Sequence, residues 1–140
     1  MCAKVNLELA VPFGNHLYDS LYVMSNGVVS FGAPVLQKEP SIATATAQQI
    51  NLIAPFWTKI NSQRGSISYN VYKRCGEELH SFKSDSHKQV FSRAAQDIKT
   101  LFHLADFDVQ MLLVFTWRDL SPEVSEGNET TSFQMIFVSG

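Results

Sequence analysis

Phe107-Asp108-Val109-Gln110-Met111-Leu112-Leu113-Val114-Phe115-Thr116-Trp117 is the stretch that decides the fold. Apolar side chains at every second position give the period of a β-strand, whose alternate residues share a face. The second face begins polar, with Asp108 and Gln110, and turns apolar at Leu112 and Val114. A strand solvated on that face at one end and covered at the other belongs in the middle of a sheet.

Upstream, Ser86-His87-Lys88-Gln89 matches a capping box, in which a Ser hydroxyl accepts a late amide proton and Gln reaches back. It predicts a helix beginning at Ser86. Val90, Phe91, Ala94, Ala95, Ile98, Leu101 and Phe102 follow at three- and four-residue spacing, one apolar stripe of about four turns that must lie on a sheet. Downstream, an irregular loop holding Pro122 and Gly127 precedes Thr131 to Val138, where Phe133, Met135 and Phe137 repeat the strand alternation.

Toward the N-terminus, Asn51 to Trp57 is predicted as a strand, with Pro55 restricting its pairing because it lacks an amide donor. A turn over 61–65 ends in Gly65, and Ile67, Tyr69 and Val71 then alternate with Ser68, Asn70 and Tyr72, which predicts a hairpin. Gly32 to Gln49, with Pro34, Pro40 and an Ala/Thr alternation, is predicted as a surface loop. Ser25-Asn26-Gly27 separates two β-prone runs, Tyr18 to Met24 and Val28 to Phe31, and Asn-Gly is a strong hairpin signal because both residues tolerate positive φ. Leu7, Leu9 and Val11 predict a first strand stopped by Pro12, with a turn at Phe13-Gly14-Asn15. The expected class is α+β: a mostly antiparallel, sandwich-like sheet with one amphipathic helix packed on it.

The chain has 140 residues, room for one domain, so 1–140 is expected to be a single unit of fold. A hydrophobic content of 45% with ten Phe suits a packed core and opposes disorder. A formal charge of -2 and a pI near 6.0 leave no electrostatic footprint for nucleic acid. The longest apolar run, Met111 to Phe115, is strand-sized, so direct membrane insertion is not expected. The first residues, Met1-Cys2-Ala3-Lys4-Val5-Asn6, lack the charged start and apolar stretch of a signal peptide; in a secreted protein that signal would lie elsewhere. Asp119, Glu123, Glu126 and Glu129 form a solvated acidic loop.

Catalytic patterns are weak. His16, His80, His87 and His103 form no short metal-ligand pair, and Cys2 and Cys75 have no zinc spacing, so neither metal nor cofactor is expected. Ser30-Phe31-Gly32 only brushes a nucleophile elbow. Cys75 beside Arg74, with His80 five residues on, and the pair Asp106 and Asp108 are the remaining hydrolase candidates. An oxidising compartment would allow Cys2 and Cys75 to pair, stabilising the fold by roughly 4 kcal/mol; the alternatives are partners beyond this chain and free thiols. Asn128-Glu129-Thr130 is an N-glycosylation sequon in the acidic loop.

Four segments then stand in register: Tyr22 to Phe31, Ile53 to Trp57 with Gly65 to Tyr69, Phe115 to Trp117, and Ser132 to Gln134. In order and spacing the chain resembles the NIDO domain, the extracellular module found in nidogen, alpha-tectorin, membrane mucin and sushi-nidogen-EGF proteins. The resemblance implies a non-enzymatic role in cell-matrix adhesion or matrix assembly, inside a larger multidomain extracellular protein, with matrix or cell-surface proteins as partners. It gives structural jobs to Asn26 and Gly27 in the turn, to Pro55 and Trp57 at a buried strand end, to Gly65 and Trp117, and to Phe133 closing the core.

The chain departs from the family after Trp57, where Thr58-Lys59-Ile60-Asn61 replace acidic residues and speak against a cation role for that turn. A further aromatic strand is also expected beyond Gly140; without it a sheet edge is exposed and open to self-association. The alternative reading is a small-ligand or glycan-binding β domain using exposed aromatics such as Tyr18, Tyr72 or Trp117.

Overall fold

The computed structural model describes residues 2–61, 63–74, 85–124 and 127–140, with the side chain of Asp85 excepted. Among the described residues ten elements follow one another: β1 (Cys2–Phe13), β2 (His16–Met24), β3 (Val29–Phe31), α1 (Ile42–Ala47), β4 (Asn51–Ile53), β5 (Ile60–Asn61), β6 (Ser66–Lys73), α2 (Asp85–Phe102), β7 (Met111–Pro122) and β8 (Thr131–Ser139). The fold is α+β, as expected, with its strands in two four-stranded sheets: β1-β2-β3-β4 in sequence order, and β7 paired with β5, β6 and β8. Among the described residues no helix is long and apolar enough to cross a membrane.

The chain divides into two compact units. The first comprises Met1–Ser68 and Phe115–Gln134, the second Tyr69–Val114 and Met135–Gly140.

In the first unit, Gly14 at φ 61 turns β1 into β2, with Phe13 opposite His16. Pro12 does not stop the strand. It pairs with Leu17 on β1, an edge strand where a missing amide costs no ladder bond. The register shifts between Asn6 and Val11, and this irregularity leaves Leu9 exposed while Val5, Leu7 and Val11 are buried. The Asn-Gly hairpin forms, but only Gly27 takes positive φ, at 81°. The Gly32 to Gln49 segment is not merely a loop. Val35 is buried against Met24 and Val28, and Ser41 caps α1 by accepting from the Thr44 amide at 3.2 Å, a bond of about 1 kcal/mol.

The predicted strand over Asn51 to Trp57 stops at Ile53, and Pro55 and Phe56 are exposed rather than forming a buried strand end. The predicted second hairpin also fails. Ile60 and Asn61 pair with Pro122 and Ser121 of β7, and β6 pairs with β7 too, so the turn ending at Gly65 interrupts successive pairings to one strand. Gly65, at φ 80, sits so close to β7 that a Cβ would stand 2.5 Å from the Arg118 carbonyl oxygen and 2.7 Å from that of Asp119. Opposite it Asp119 adopts φ 54, and the burial phase of β7 slips by one: Phe115 and Trp117 are buried, Arg118 and Asp119 are exposed, and Leu120 is buried again. That is a bulge, and it is why the sequence alternation ends at Trp117.

In the second unit α2 begins at Asp85, so Ser86 lies within the helix rather than capping it. Phe91 and Ala94 pack on Val109 and Leu112, with Tyr72, Val90, Phe107 and Val138 around them. The helix therefore lies on its sheet as expected. The apolar stripe is buried only in part: Leu101 is 68% and Phe102 63% exposed.

Candidate functional site

Gly27 is the point on which three of the four motif segments converge. Any side chain there would overlap the Phe56 carbonyl oxygen and stand 3.2 Å from the Phe133 ring. The turn carbonyls hold the following segment, accepting from the amides of Phe56 at 3.5 Å and Thr58 at 3.0 Å. Asn26 is buried for its carboxamide: Nδ2 donates to Val35 and Gln37 carbonyls at 3.0 and 2.8 Å. Phe133 stacks on Trp117 at 4.7 Å and meets Phe56 edge-on at 5.5 Å, while Trp117 Nε1 donates to the Met24 carbonyl. Trp57 is half-buried and donates through Nε1 to Gln37, so the buried organiser of this unit is Trp117.

Among the described residues, Ser30 and Asp108 of the hydrolase candidates bond within the fold. Ser30 is fully buried and donates to the Ala33 carbonyl at 2.6 Å. Asp106 and Asp108 precede β7, and Asp108 accepts from Arg74 at 3.0 Å and from Gln110. Cys75 and His80 lie outside the described residues, and with them any bridge to the exposed Cys2. Asn128 is exposed in the loop before β8. Among the described residues no three His, Cys, Asp or Glu side chains gather as a metal centre would require.

One carboxylate of the acidic loop, Glu123, finds a base elsewhere in the first unit. Glu123 accepts from Lys38 at 2.6 Å, and that bond and charge hold its carboxyl below the usual range. Lys59, two residues after Trp57, bonds to Glu39, and this raises its pKa.

A groove of about 600 Å³ opens in the first unit where α1 and β4 meet the β1–β2 turn. Phe13, Asn15, His16, Gln49, Asn51 and Trp57 are among its walls. Asn51 is fixed by donating to the Tyr18 hydroxyl at 2.8 Å, with the backbone of Gly14 against it. Gln49 follows α1 in a Schellman arrangement, in which Ile50 N donates to Ala45 and Gln49 N to Thr46. Its φ of 53° is a position where Gly is the usual residue. Sequence reading missed this groove because Ser41 lacks the Glu or Gln that completes a capping box, so α1 read as loop. Of the proposed binding aromatics Trp117 is fully buried and unavailable, Tyr72 belongs to the second unit, and Tyr18 supports the groove through Asn51.

Two antiparallel-rich sheets, a helix packed on one of them, and a turn glycine closed over by aromatic residues define an α+β scaffold module. The sequence profile of the nidogen-like domain matches residues 19–140, and the chain belongs to that family. It is 29% identical to alpha-tectorin of Homo sapiens over 142 residues, covering 98% of this chain and 6% of the relative. The figures are the same for alpha-tectorin of Mus musculus, and 26% over 140 residues for that of Gallus gallus, with 95% of this chain and 6% of the relative covered. The chain thus spans about 6% of the length of these relatives. No solved structure matches it.

Proposed function

We propose that this chain is a non-enzymatic extracellular module that makes protein–protein contacts in cell-matrix adhesion or matrix assembly. The observation that carries the reading is membership of the nidogen-like family over residues 19–140. The family is extracellular and built into multidomain proteins, and the proposal extends that setting to this chain, with residues 1–140 as one domain of a longer protein. It is supported by where polar groups go: Asn26, Ser30, Asp108 and Trp57 all bond within the fold.

An extracellular setting also gives Cys2 and Cys75 the chance to pair and exposes Asn128 to glycosylation, both part of the proposal. Self-association through a sheet edge belongs to it as well. Among the described strands β8 pairs only with β7, and its residues include neither a charge nor a Pro, the devices that usually protect an edge.

The test is retention of the secreted, tagged chain on decellularised matrix. Saturable retention, competed by untagged chain, is expected. A chain shown to be folded by near-ultraviolet circular dichroism, yet retained no better than an inert protein, would overturn the proposal.

A further inference from the structure

We propose that the groove between α1, β4 and the β1–β2 turn is a binding site for a neutral oligosaccharide. It goes beyond the protein–protein reading above and stands or falls separately from it.

Size and charge come first. About 600 Å³ is within the range of small-ligand sites. Among the described residues no Asp, Glu, Lys or Arg lines the groove, and His16 is the one titratable side chain there. A sulfated, sialylated or phosphorylated ligand would lose water there without gaining a countercharge.

The polar groups that are present suit hydroxyls. Asn15, Gln49 and Asn51 each bring a carboxamide, which offers two donors and an acceptor, and Thr46 adds a hydroxyl. Asn51 is held by Tyr18 through its nitrogen, which leaves its oxygen as an acceptor. The side chains of Asn15 and Gln49 have no partner among the described residues. Trp57 has committed its N–H to Gln37, so what it contributes to the wall is apolar ring surface, suited to the C–H face of a sugar. A peptide adding to the sheet is disfavoured, because β4 offers only Asn51–Ile53 as an edge.

Gln49 supplies the observation that packing alone does not explain. It holds a left-handed backbone at the C-terminus of α1, where Gly would be less strained, and the residue lines the groove. A strained residue that keeps its side chain at a concave surface is accounted for when the side chain has a ligand to hold.

The experiment applies the folded chain to an array of neutral, sialylated and sulfated glycans, and adds the strongest neutral oligosaccharide to 15N-labelled protein. Binding confined to neutral glycans is expected, with amide shifts at Asn15, Gln49 and Asn51. Gln49→Gly separates binding from folding: its thermal midpoint rises while affinity falls roughly tenfold. Asn15→Ala, in an exposed turn, is a second variant with the same direction of binding loss. Silence of the neutral set, shifts centred elsewhere, unchanged affinity in both variants, or displacement of the sugar by neutral peptides would each overturn the assignment.

Discussion

Trp117 Nε1 donates to the Met24 carbonyl oxygen at 3.0 Å, joining residues 93 positions apart and tying the bulged end of β7 to the hairpin that carries Gly27. The indole is fully buried and stacked on Phe133. Trp117→Phe keeps an aromatic ring but removes the donor and opens a cavity, so it should cost about 2–3 kcal/mol. Urea denaturation at neutral pH measures this. A loss below about 0.5 kcal/mol would mean that the hydrogen bond and the second ring contribute little.

Gly27→Ala should be among the most damaging single-methyl changes in the chain. The new Cβ meets the Phe56 carbonyl and requires a left-handed backbone at φ 81. Strain and overpacking together should cost about 2–4 kcal/mol. Gly14→Ala, whose Cβ would stand 3.2 Å from the Asn51 side chain, should cost less, and the two midpoints compared side by side decide it.

Along α2 the sequence stripe divides by burial. Phe91→Ala should destabilise by about 3–5 kcal/mol, whereas Leu101→Ser should stay within about 0.5 kcal/mol. The difference follows from Phe91 being 3% exposed on the sheet while Leu101 faces solvent. Equal effects from the two substitutions would contradict the packing described.

Lys38 lowers the pKa of Glu123, so the ion pair favours the folded state above the ordinary carboxylate pKa and is lost as pH falls through the depressed value. Lys59 is the mirror case: Glu39 raises it, and its contribution is present below the ordinary lysine pKa and lost as pH rises through the raised one. Lys38→Ala should return Glu123 toward the usual carboxylate range in a carboxyl NMR titration. About 1 M salt should do much the same to the unaltered protein, because both groups are exposed and screened. A Glu123 titration indifferent to both changes would show that the pair does not persist in solution.

The elements legible in sequence were those whose burial has a regular period. β7 and α2 announce themselves because each buries side chains at regular spacing, Phe115 and Trp117 on β7, Phe91 and Ala94 on α2, so alternation and the three-to-four spacing mark the residues even where, as at Leu101, the stripe runs on into solvent. Asn26-Gly27 was legible as a turn for a related reason: backbone strain is local, and Gly is its local remedy. The role of Asn26 was not, because its partners Val35 and Gln37 come from a segment whose course no local pattern describes.

By itself the sequence determined the α+β class, the central strand, the helix and the family resemblance, all properties of near neighbours in the chain or of residues in register. Tertiary structure alone decided that β5 and β6 both pair with β7, that Trp117 is the buried indole while Trp57 only borders the groove, and that Leu101 and Phe102 are left in solvent. It alone brought Asn15, Gln49 and Asn51 to one concave surface. The reason is physical. Pairing partners and groove walls depend on which distant segments exclude water together, and a hydrophobic or carboxamide side chain carries no local mark of the neighbour it will meet.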